Sequence, residues 1–336
     1  MTATRSARRA LISGVAGYIG SHAALCFLDA GWQVSGIDDL SMGHRDRVPK
    51  GVVFHELGIG ADETAALLAR DMPDVVLHFA ARTSVDESVR LPGGYYDTNT
   101  GQAARFFAAA ARAGVGAIVH SSTAAVYGEA GEVPVDEACP LRPASPYGRA
   151  KLAAEWALAD VGQASGTRHV ILRYFNVAGA DPQGRAGPGD RAQHLIKIVA
   201  EAAAGLRDLV RINGTDYATP DGTAIRDFIH VSDLARAHLS AAEYLLDGGP
   251  SAVLNCGCGR GYSVREVIAA GLALGPHRFV VTEGARRPGD IARITADPSR
   301  LRRILDWTPD CSSLDRMLAT AVAWEQARAI RAKAVS

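Results

Sequence analysis

Residues 10–22 read Ala10-Leu11-Ile12-Ser13-Gly14-Val15-Ala16-Gly17-Tyr18-Ile19-Gly20-Ser21-His22. A short apolar strand, Ala10–Ile12, runs into three glycines spaced G-x-x-G-x-x-G and then into a helix expected to reach about Ala30. In that pattern the first glycine permits a tight turn, the second lets backbone approach a pyrophosphate, and the third lets helix and strand pack closely. The helix start then points its N–H groups and positive dipole end at the anion. A glycine triplet is weak evidence in a chain with 35 Gly, so its context decides. Gly31 ends the helix, Val34-Ser35-Gly36-Ile37 reads as a second strand, and Asp38 stands at its carboxyl end. An acid there hydrogen-bonds the adenosine ribose of a dinucleotide. Asp39 adds a second carboxylate that repels a 2′-phosphate, so NAD is favoured over NADP even with Arg45 and Arg47 nearby.

Working outward, strand and helix alternate. Val52–His55, Asp74–Ala80, Ala117–Ser121 and His169–Tyr174 are short apolar runs of the kind buried in parallel sheets, separated by helices expected over 62–71, 99–113 and 147–164. The fold class is α/β: a Rossmann-like, doubly wound parallel sheet, with ligands beyond the carboxyl ends of its strands. After Asn176 the texture changes, and residues 177–191 are rich in Gly, Pro and Asp, hence loop. The expected division is an NAD-binding domain over 1–176, with 226–246 returning to it, and a smaller C-terminal α/β substrate lobe over 177–336. The alanine-rich stretch 103–113 reads as a packing surface, either core or a dimer seam.

Ser145-Pro146-Tyr147-Gly148-Arg149-Ala150-Lys151 carries the chemistry. Ser145 suits an N-cap and Pro146 the first helical position, which places Tyr147 and Lys151 four apart on one helix face. With nine Tyr and four Lys in 336 residues, only about 0.1 such pairs are expected by chance. A phenol titrates near ~10; bringing it to about 7 takes roughly 4 kcal/mol, which an adjacent ammonium and a cationic nicotinamide ring together supply. His120-Ser121-Ser122-Thr123 closes the strand beginning at Ala117, so a hydroxyl at a strand end precedes the tyrosine in sequence.

Composition excludes several classes. Lys+Arg and Asp+Glu both number 36, so no global charge draws the chain to nucleic acid or to a membrane surface. The five cysteines form no C-x-x-C and no His/Cys zinc pattern; no metal is expected, and reduced thiols fit the cytoplasm. Arg5, Arg8 and Arg9 precede an apolar patch, but it breaks at Ser13-Gly14, too short for a signal sequence. No apolar run approaches the ~18 residues of a membrane span.

These blocks resemble the extended short-chain dehydrogenases/reductases, and within them the UDP-glucose (UDP-galactose) 4-epimerases. The similarity covers Gly14–His22, Ile37-Asp38-Asp39-Leu40-Ser41, His78-Phe79-Ala80-Ala81, Glu87-Ser88-Val89 and Tyr95-Tyr96-Asp97-Thr98-Asn99. It continues through Ser121–Gly128, Ser145–Lys151 and Arg173-Tyr174-Phe175-Asn176. Gly214-Thr215-Asp216-Tyr217, Asp221-Gly222-Thr223, Arg226–Val231 and Arg286-Arg287-Pro288-Gly289-Asp290 complete it.

The resemblance implies a C4 epimerase of UDP-hexoses with tightly bound NAD, and a homodimer. It implies that Thr123 and Tyr147 meet the sugar 4-hydroxyl while Lys151 binds the nicotinamide ribose and tunes Tyr147. It assigns cofactor contacts to Gly14, Gly17, Tyr18, Ile19, Gly20, Asp38, Asp39, Leu40 and Ile59. Phe79, Ala80, Ala81, Asn99, Ser121 and Tyr174 join that set. It assigns UDP-sugar contacts to Asn176, His194, Leu195, Asn213, Arg226, Arg287 and Asp290, with Ile294 limiting room beside the sugar. Arginine forks suit diphosphate oxygens, and a carboxylate accepts from ribose hydroxyls.

Three positions depart from the family pattern. Leu57-Gly58-Ile59 offers no carboxylate near the adenine, Thr83 replaces a common lysine, and Asn213 replaces an aromatic beside uracil. Ala124-Ala125 follow Thr123 where related 4,6-dehydratases carry an Asp-Glu pair and decarboxylating relatives a glutamate at the second position. Alanine transfers no proton, which favours plain epimerisation. The other readings are epimerisation of an N-acetylhexosamine, pentose or uronate, and a non-catalytic NAD-binding regulator.

Overall fold

A computed structural model describes residues 7–130, 134–190, 192, 194–275, 277–287 and 290–335. The chain divides into two compact units, one of Met1–Gly128, Leu141–Arg173 and Ala235–Leu254, the other of Glu129–Pro140, Tyr174–Leu234 and Asn255–Ser336. The first domain expected over 1–176 thus gives up 129–140 and 174–176 to the second unit, where Val135 bridges Ala296. The segment 226–246 is split, its strand in the second unit and most of its helix in the first.

The first unit holds β1 (Arg9–Ser13), α1 (Tyr18–Asp29), β2 (Gln33–Asp38), β3 (Val53–Glu56), α2 (Asp62–Asp71), β4 (Val75–His78), α3 (Val85–Arg90) and α4 (Pro92–Tyr96). It continues with α5 (Ala103–Arg112), β5 (Ala117–Thr123), α6 (Pro146–Ser165) and β6 (Arg168–Tyr174), the last residue of which falls in the second unit. The sheet order is β3-β2-β1-β4-β5-β6, with the strand Ala252–Cys256 beyond β6. Sequence runs outward in both directions from the β1/β4 switch point, the doubly wound order whose ligands lie at strand carboxyl ends. Pairing is parallel in β1–β2, β1–β4, β2–β3 and β4–β5.

Helices on both faces explain why these strands are apolar throughout: Leu11, Ile12, Val75, Val76, Leu77, Ile118 and Val119 are all 0% exposed. Each such side chain stabilises the fold by ~1.5–3 kcal/mol. Ala103, Phe106, Phe107, Ala109 and Ala110 pack into the same core, so the buried face of the alanine-rich stretch is interior packing.

The helix expected over 99–113 is interrupted. Asp97–Gln102 forms a π-turn before α5 begins. Three tertiary hydrogen bonds account for it: the Asn99 amide exchanges two with the Arg82 backbone at 2.8 and 2.9 Å, and the Thr100 hydroxyl donates to the Ala150 carbonyl at 2.9 Å. Such turns recur where a helix must present a side chain out of register.

The second unit contains β7 (Asn176–Ala178), α7 (Leu195–Ala203), β8 (Leu209–Asn213), β9 (Ile225–His230) and the start of α8 (Val231–Leu246). Past β10 (Ala252–Cys256) follow β11 (Gly261–Ser263), α9 (Val264–Leu274), β12 (Val280–Gly284), β13 (Arg293–Ile294), α10 (Ser299–Leu305) and α11 (Leu314–Val335). β9 pairs with β7, β11 and β13, while β8 pairs with β12. The loop expected over 177–191 thus begins with two residues that still belong to β7. The core of this unit joins α7, α9 and α11 through Ile196, Val199, Val267, Met317 and Leu318.

Candidate active site

The turn after β1 is shaped by what it must avoid. Gly14 has φ +74°, and a Cβ there would lie 2.7 Å from the Ala80 backbone nitrogen. The turn therefore lies directly on the chain leaving β4, with Gly14 N–H donating to the Ile37 carbonyl at 2.8 Å. Gly17 is the N-cap of α1, and no side chain caps it. Uncapped first-turn N–H groups beside a turn that has no room for side chains suit a pyrophosphate. At the end of β2, the Asp38 carboxylate accepts from Ala16 N–H (3.0 Å) and Leu40 N–H (2.9 Å), which fixes it beside the glycine turn. Asp39 accepts from Ser41 N–H at 3.0 Å. Arg45 pairs with Glu56 at 3.1 Å and covers the Phe54 ring, so this cation already has a carboxylate partner.

Of the other expected cofactor contacts, Ile59 is buried beside the Gly58 turn, Phe79 packs on His238, and Ala81 precedes Arg82. Asn99 spends its amide on Arg82, which makes it a brace of the chain leaving β4. Tyr174 ends β6 in the second unit.

The groups expected to carry the chemistry come together at the start of α6. Ser145 caps it by accepting from Gly148 N–H at 3.1 Å, and Pro146 takes the first helical position. Tyr147 hydrogen-bonds the Thr123 hydroxyl. Lys151, 4% exposed, donates its ammonium to the Ser121 carbonyl at 2.6 Å. Burial draws the Lys151 ammonium down to about 8, and the Glu155 carboxylate pulls the other way. Burial acts on the Tyr147 phenol as well. Burial raises the phenol above its ordinary value, and the group that opposes this is the Thr123 hydroxyl. Lys151 directs its charge at a strand-end carbonyl, one turn along the helix.

Glu155, Arg173 and Ser122 are not among the site residues expected from the sequence. Arg173 grips both Glu155 oxygens, with Nε at 3.0 and 3.1 Å and Nη2 at 2.6 Å. Its Nη1 donates to the Tyr127 hydroxyl at 3.1 Å. The pair is 5% and 3% exposed, so removing one partner would strand a buried charge at a cost of ~3–5 kcal/mol. Spacing gave a signal for Glu155, four residues beyond Lys151, but nothing in the sequence placed Arg173 opposite it.

In the second unit, Arg226 of β9 pairs with Asp290 at 3.4 Å, and Ile294 of β13 stands in register with Arg226. Asn213, ending β8, accepts from Arg287 Nε and Nη2 at 3.2 Å each. Asn176 sits on β7, in register with Phe228 of β9. His194 caps α7 by accepting from Lys197 N–H at 3.3 Å, and Leu195 begins that helix. Burial draws His194 down to about 4, so it acts as a neutral acceptor. Arg286 covers the Tyr217 ring at 4.2 Å and pairs with Asp216. The second unit thus holds two polar pairs, Arg226 with Asp290 and Arg287 with Asn213. Among the described residues there is no cluster of metal-binding side chains, and no helix is long and apolar enough to cross a membrane.

The chain is 47% identical to the UDP-glucose 4-epimerase of Azospirillum brasilense over 325 residues, covering 96% of this chain and 93% of that protein. Among solved structures, UDP-glucose 4-epimerase from Brucella ovis in complex with NAD superposes with a TM-score of 0.91 at 39% identity, over 95% of this chain and 99% of that one. The UDP-Glc/GlcNAc 4-epimerase of Campylobacter jejuni gives 0.83 at 40% identity, over 95% and 99%. Residues 10–257 match the sequence model of the NAD dependent epimerase/dehydratase family, a span that holds the glycine turn, the Thr123–Tyr147–Lys151 set and Arg226. By its sequence and its strand order, the chain belongs to the NAD dependent epimerase/dehydratase family.

Proposed function

We propose that this protein interconverts UDP-glucose and UDP-galactose by inverting C4, with NAD held in the first unit and the UDP moiety by residues of the second. The observation that carries this is the Thr123–Tyr147 hydrogen bond with Lys151 one turn on, followed at 124–125 by alanines. One base and one hydride acceptor suffice for epimerisation; a dehydratase needs a further acid and base, which Ala124 and Ala125 cannot supply.

The glycine turn fits NAD on two counts, the side-chain-free cradle at Gly14 and the uncapped start of α1. Gly14, Gly17, Tyr18, Ile19 and Gly20 would hold its pyrophosphate, and Asp38 its adenosine ribose. Bound NAD supplies the hydride acceptor and donor for C4 and a positive charge that favours the tyrosinate. Tyr147 takes the 4-hydroxyl proton as C4 becomes a ketone and returns it when the opposite configuration forms. Thr123 holds the same oxygen, and the Lys151 ammonium adds favourable charge. Arg226, Arg287, Asn213, Asn176 and Asp290 would grip UDP, so binding is strong at the nucleotide and weak at the hexose that must turn over. Incubating the purified protein with UDP-galactose and following UDP-glucose with a coupled dehydrogenase tests the assignment. Bound NAD with no conversion of any UDP-sugar would instead support a regulator.

Ile294 is proposed to set sugar size. It is 5% exposed and β-branched, hence stiff, and it flanks Arg226 in the β13–β9 register. Ile294→Gly is expected to raise kcat/KM for UDP-N-acetylglucosamine relative to UDP-glucose by about tenfold or more, the range of a few methylenes in a pocket. Competition assays below the variant's lowered melting point measure it; equal effects on both sugars would remove Ile294 from this role.

A homodimer in the cytoplasm completes the proposal. Trp156 on α6 is 60% exposed and Leu91 56%, apolar surface suited to a second copy. All five cysteines lie among the described residues and none forms a disulfide, which fits a reducing compartment. Light scattering of the purified protein tests the dimer.

A further inference from the structure

We infer that Glu155 is a positioning residue for the reacting pair: clamped by Arg173 and Ser122, its carboxylate sustains the positive charge of Lys151 beside Tyr147 and fixes the end of β5 against α6. The inference rests on the assignment of Tyr147 and Lys151 above. Three consecutive residues of β5 each engage a different turn of one helix. The Ser121 carbonyl accepts from Lys151, the Ser122 hydroxyl donates to Glu155, and the Thr123 hydroxyl bonds the Tyr147 phenol. Tyr147, Lys151 and Glu155 succeed one another at four-residue spacing and so share one helix face. The strand end and the helix are therefore joined at three points, and two of the three belong to the chemistry.

Glu155 is also held by an ion pair from a third element. Arg173 reaches it from β6, and the same guanidinium donates to the Tyr127 hydroxyl and lies over that ring at 5.2 Å. With both oxygens held by Arg173 and one also by Ser122, the carboxylate is fixed in place. Its charge then bears on Lys151. From its own helix Lys151 is faced by Tyr147 and Glu155, from β5 by the Ser121 carbonyl and His120, and from β4 by His78. Burial holds both imidazoles well below their ordinary range, with Lys151 pushing in the same direction, so both are neutral. The negative charge acting on Lys151 is that of Glu155, and it opposes the burial that favours the neutral amine. A neutral Lys151 would withdraw the positive charge that favours tyrosinate.

The test is the pH profile of kcat for the NAD-loaded enzyme with UDP-galactose, in wild type, Glu155→Gln, Glu155→Asp and the double variant Glu155→Gln/Arg173→Met. The double variant matters because glutamine alone leaves Arg173 buried and unpaired, whereas replacing both members of a buried pair by neutral groups is often tolerated. Lysine loses its proton more readily once the carboxylate is gone. The alkaline limb should therefore move down by about one unit or more in Glu155→Gln, the size expected for one close opposite charge, and in the same direction by less in the double variant, which removes the Arg173 positive charge as well. KM should stay within about twofold, since no UDP contact is touched. Glu155→Asp should keep the wild-type limb. A loss of kcat equal at every pH, with the limb unmoved in the double variant, would overturn the inference and leave Glu155 a brace of the fold. Tyr147→Phe measured alongside separates the two claims: if it is inactive while the limb is unmoved, only the role of Glu155 fails. If it turns over normally, the assignment of Tyr147 fails instead.

Discussion

Tyr147→Phe is expected to lower kcat by about 10²–10⁴-fold, the contribution of one placed acid/base group. The ring would remain, still edge-on to Tyr95 at a centroid distance of 6.4 Å, and only the oxygen would go. Ser145 and Pro146 would still start α6, and Lys151 would still reach the Ser121 carbonyl. The variant should therefore fold, carry NAD in wild-type amount and bind UDP normally while failing to move the 4-hydroxyl proton. NAD released on acid denaturation, UDP binding by calorimetry and turnover in the coupled assay distinguish these three properties. Near-normal kcat would remove Tyr147 as the base. The size of the effect follows from the energetic gap. Bringing a phenol from ~10 to about 7 takes roughly 4 kcal/mol, and burial of Tyr147 widens that gap while the Thr123 hydroxyl narrows it; in the proposed mechanism the Lys151 ammonium and the cofactor's charge would supply the rest.

Gly20→Ala should reverse the usual sign of its substitution. Inside a helix, alanine is ordinarily favoured over glycine by about 0.5–1 kcal/mol. At Gly20 a Cβ would stand 2.1 Å from the Gly14 carbonyl oxygen and 2.8 Å from its carbon. Neither is the end of a flexible side chain, so α1 must back away from the turn. Overpacking of this kind costs ~1–3 kcal/mol, which should appear as a lower thermal midpoint. Displacing the start of α1 also weakens its N–H contacts to pyrophosphate. Losing one charge-assisted hydrogen bond, ~1.5–3 kcal/mol, corresponds to NAD binding about 10–150-fold weaker. Differential scanning calorimetry and NAD titration of the stripped protein measure the two effects. A variant as stable as wild type with unchanged NAD affinity would mean that the turn does not hold the cofactor.

The sequence by itself determined the doubly wound sheet, the glycine turn, the acid ending β2 and the capped Tyr–Lys helix. These are local features: glycine spacing, continuous apolar runs and a Ser-Pro cap are each written within about ten residues, and a parallel sheet leaves little other use for them. The tertiary structure decided what local pattern cannot express. Asn99 lies in a segment with helical texture, yet its amide pairs with Arg82 and the helix gives way to a π-turn. Lys151 was legible as a partner of Tyr147 by spacing, but its ammonium is directed at Ser121, a residue 30 positions away. Arg173 and Glu155 are 18 residues apart on a strand and a helix, and only the packing of β6 beside β5 makes them a buried pair. The phenol's direction of shift depends on burial, which no single residue carries. Local sequence decides which groups are available within a turn or a strand; the charge each one feels is set by neighbours brought in from elsewhere in the chain.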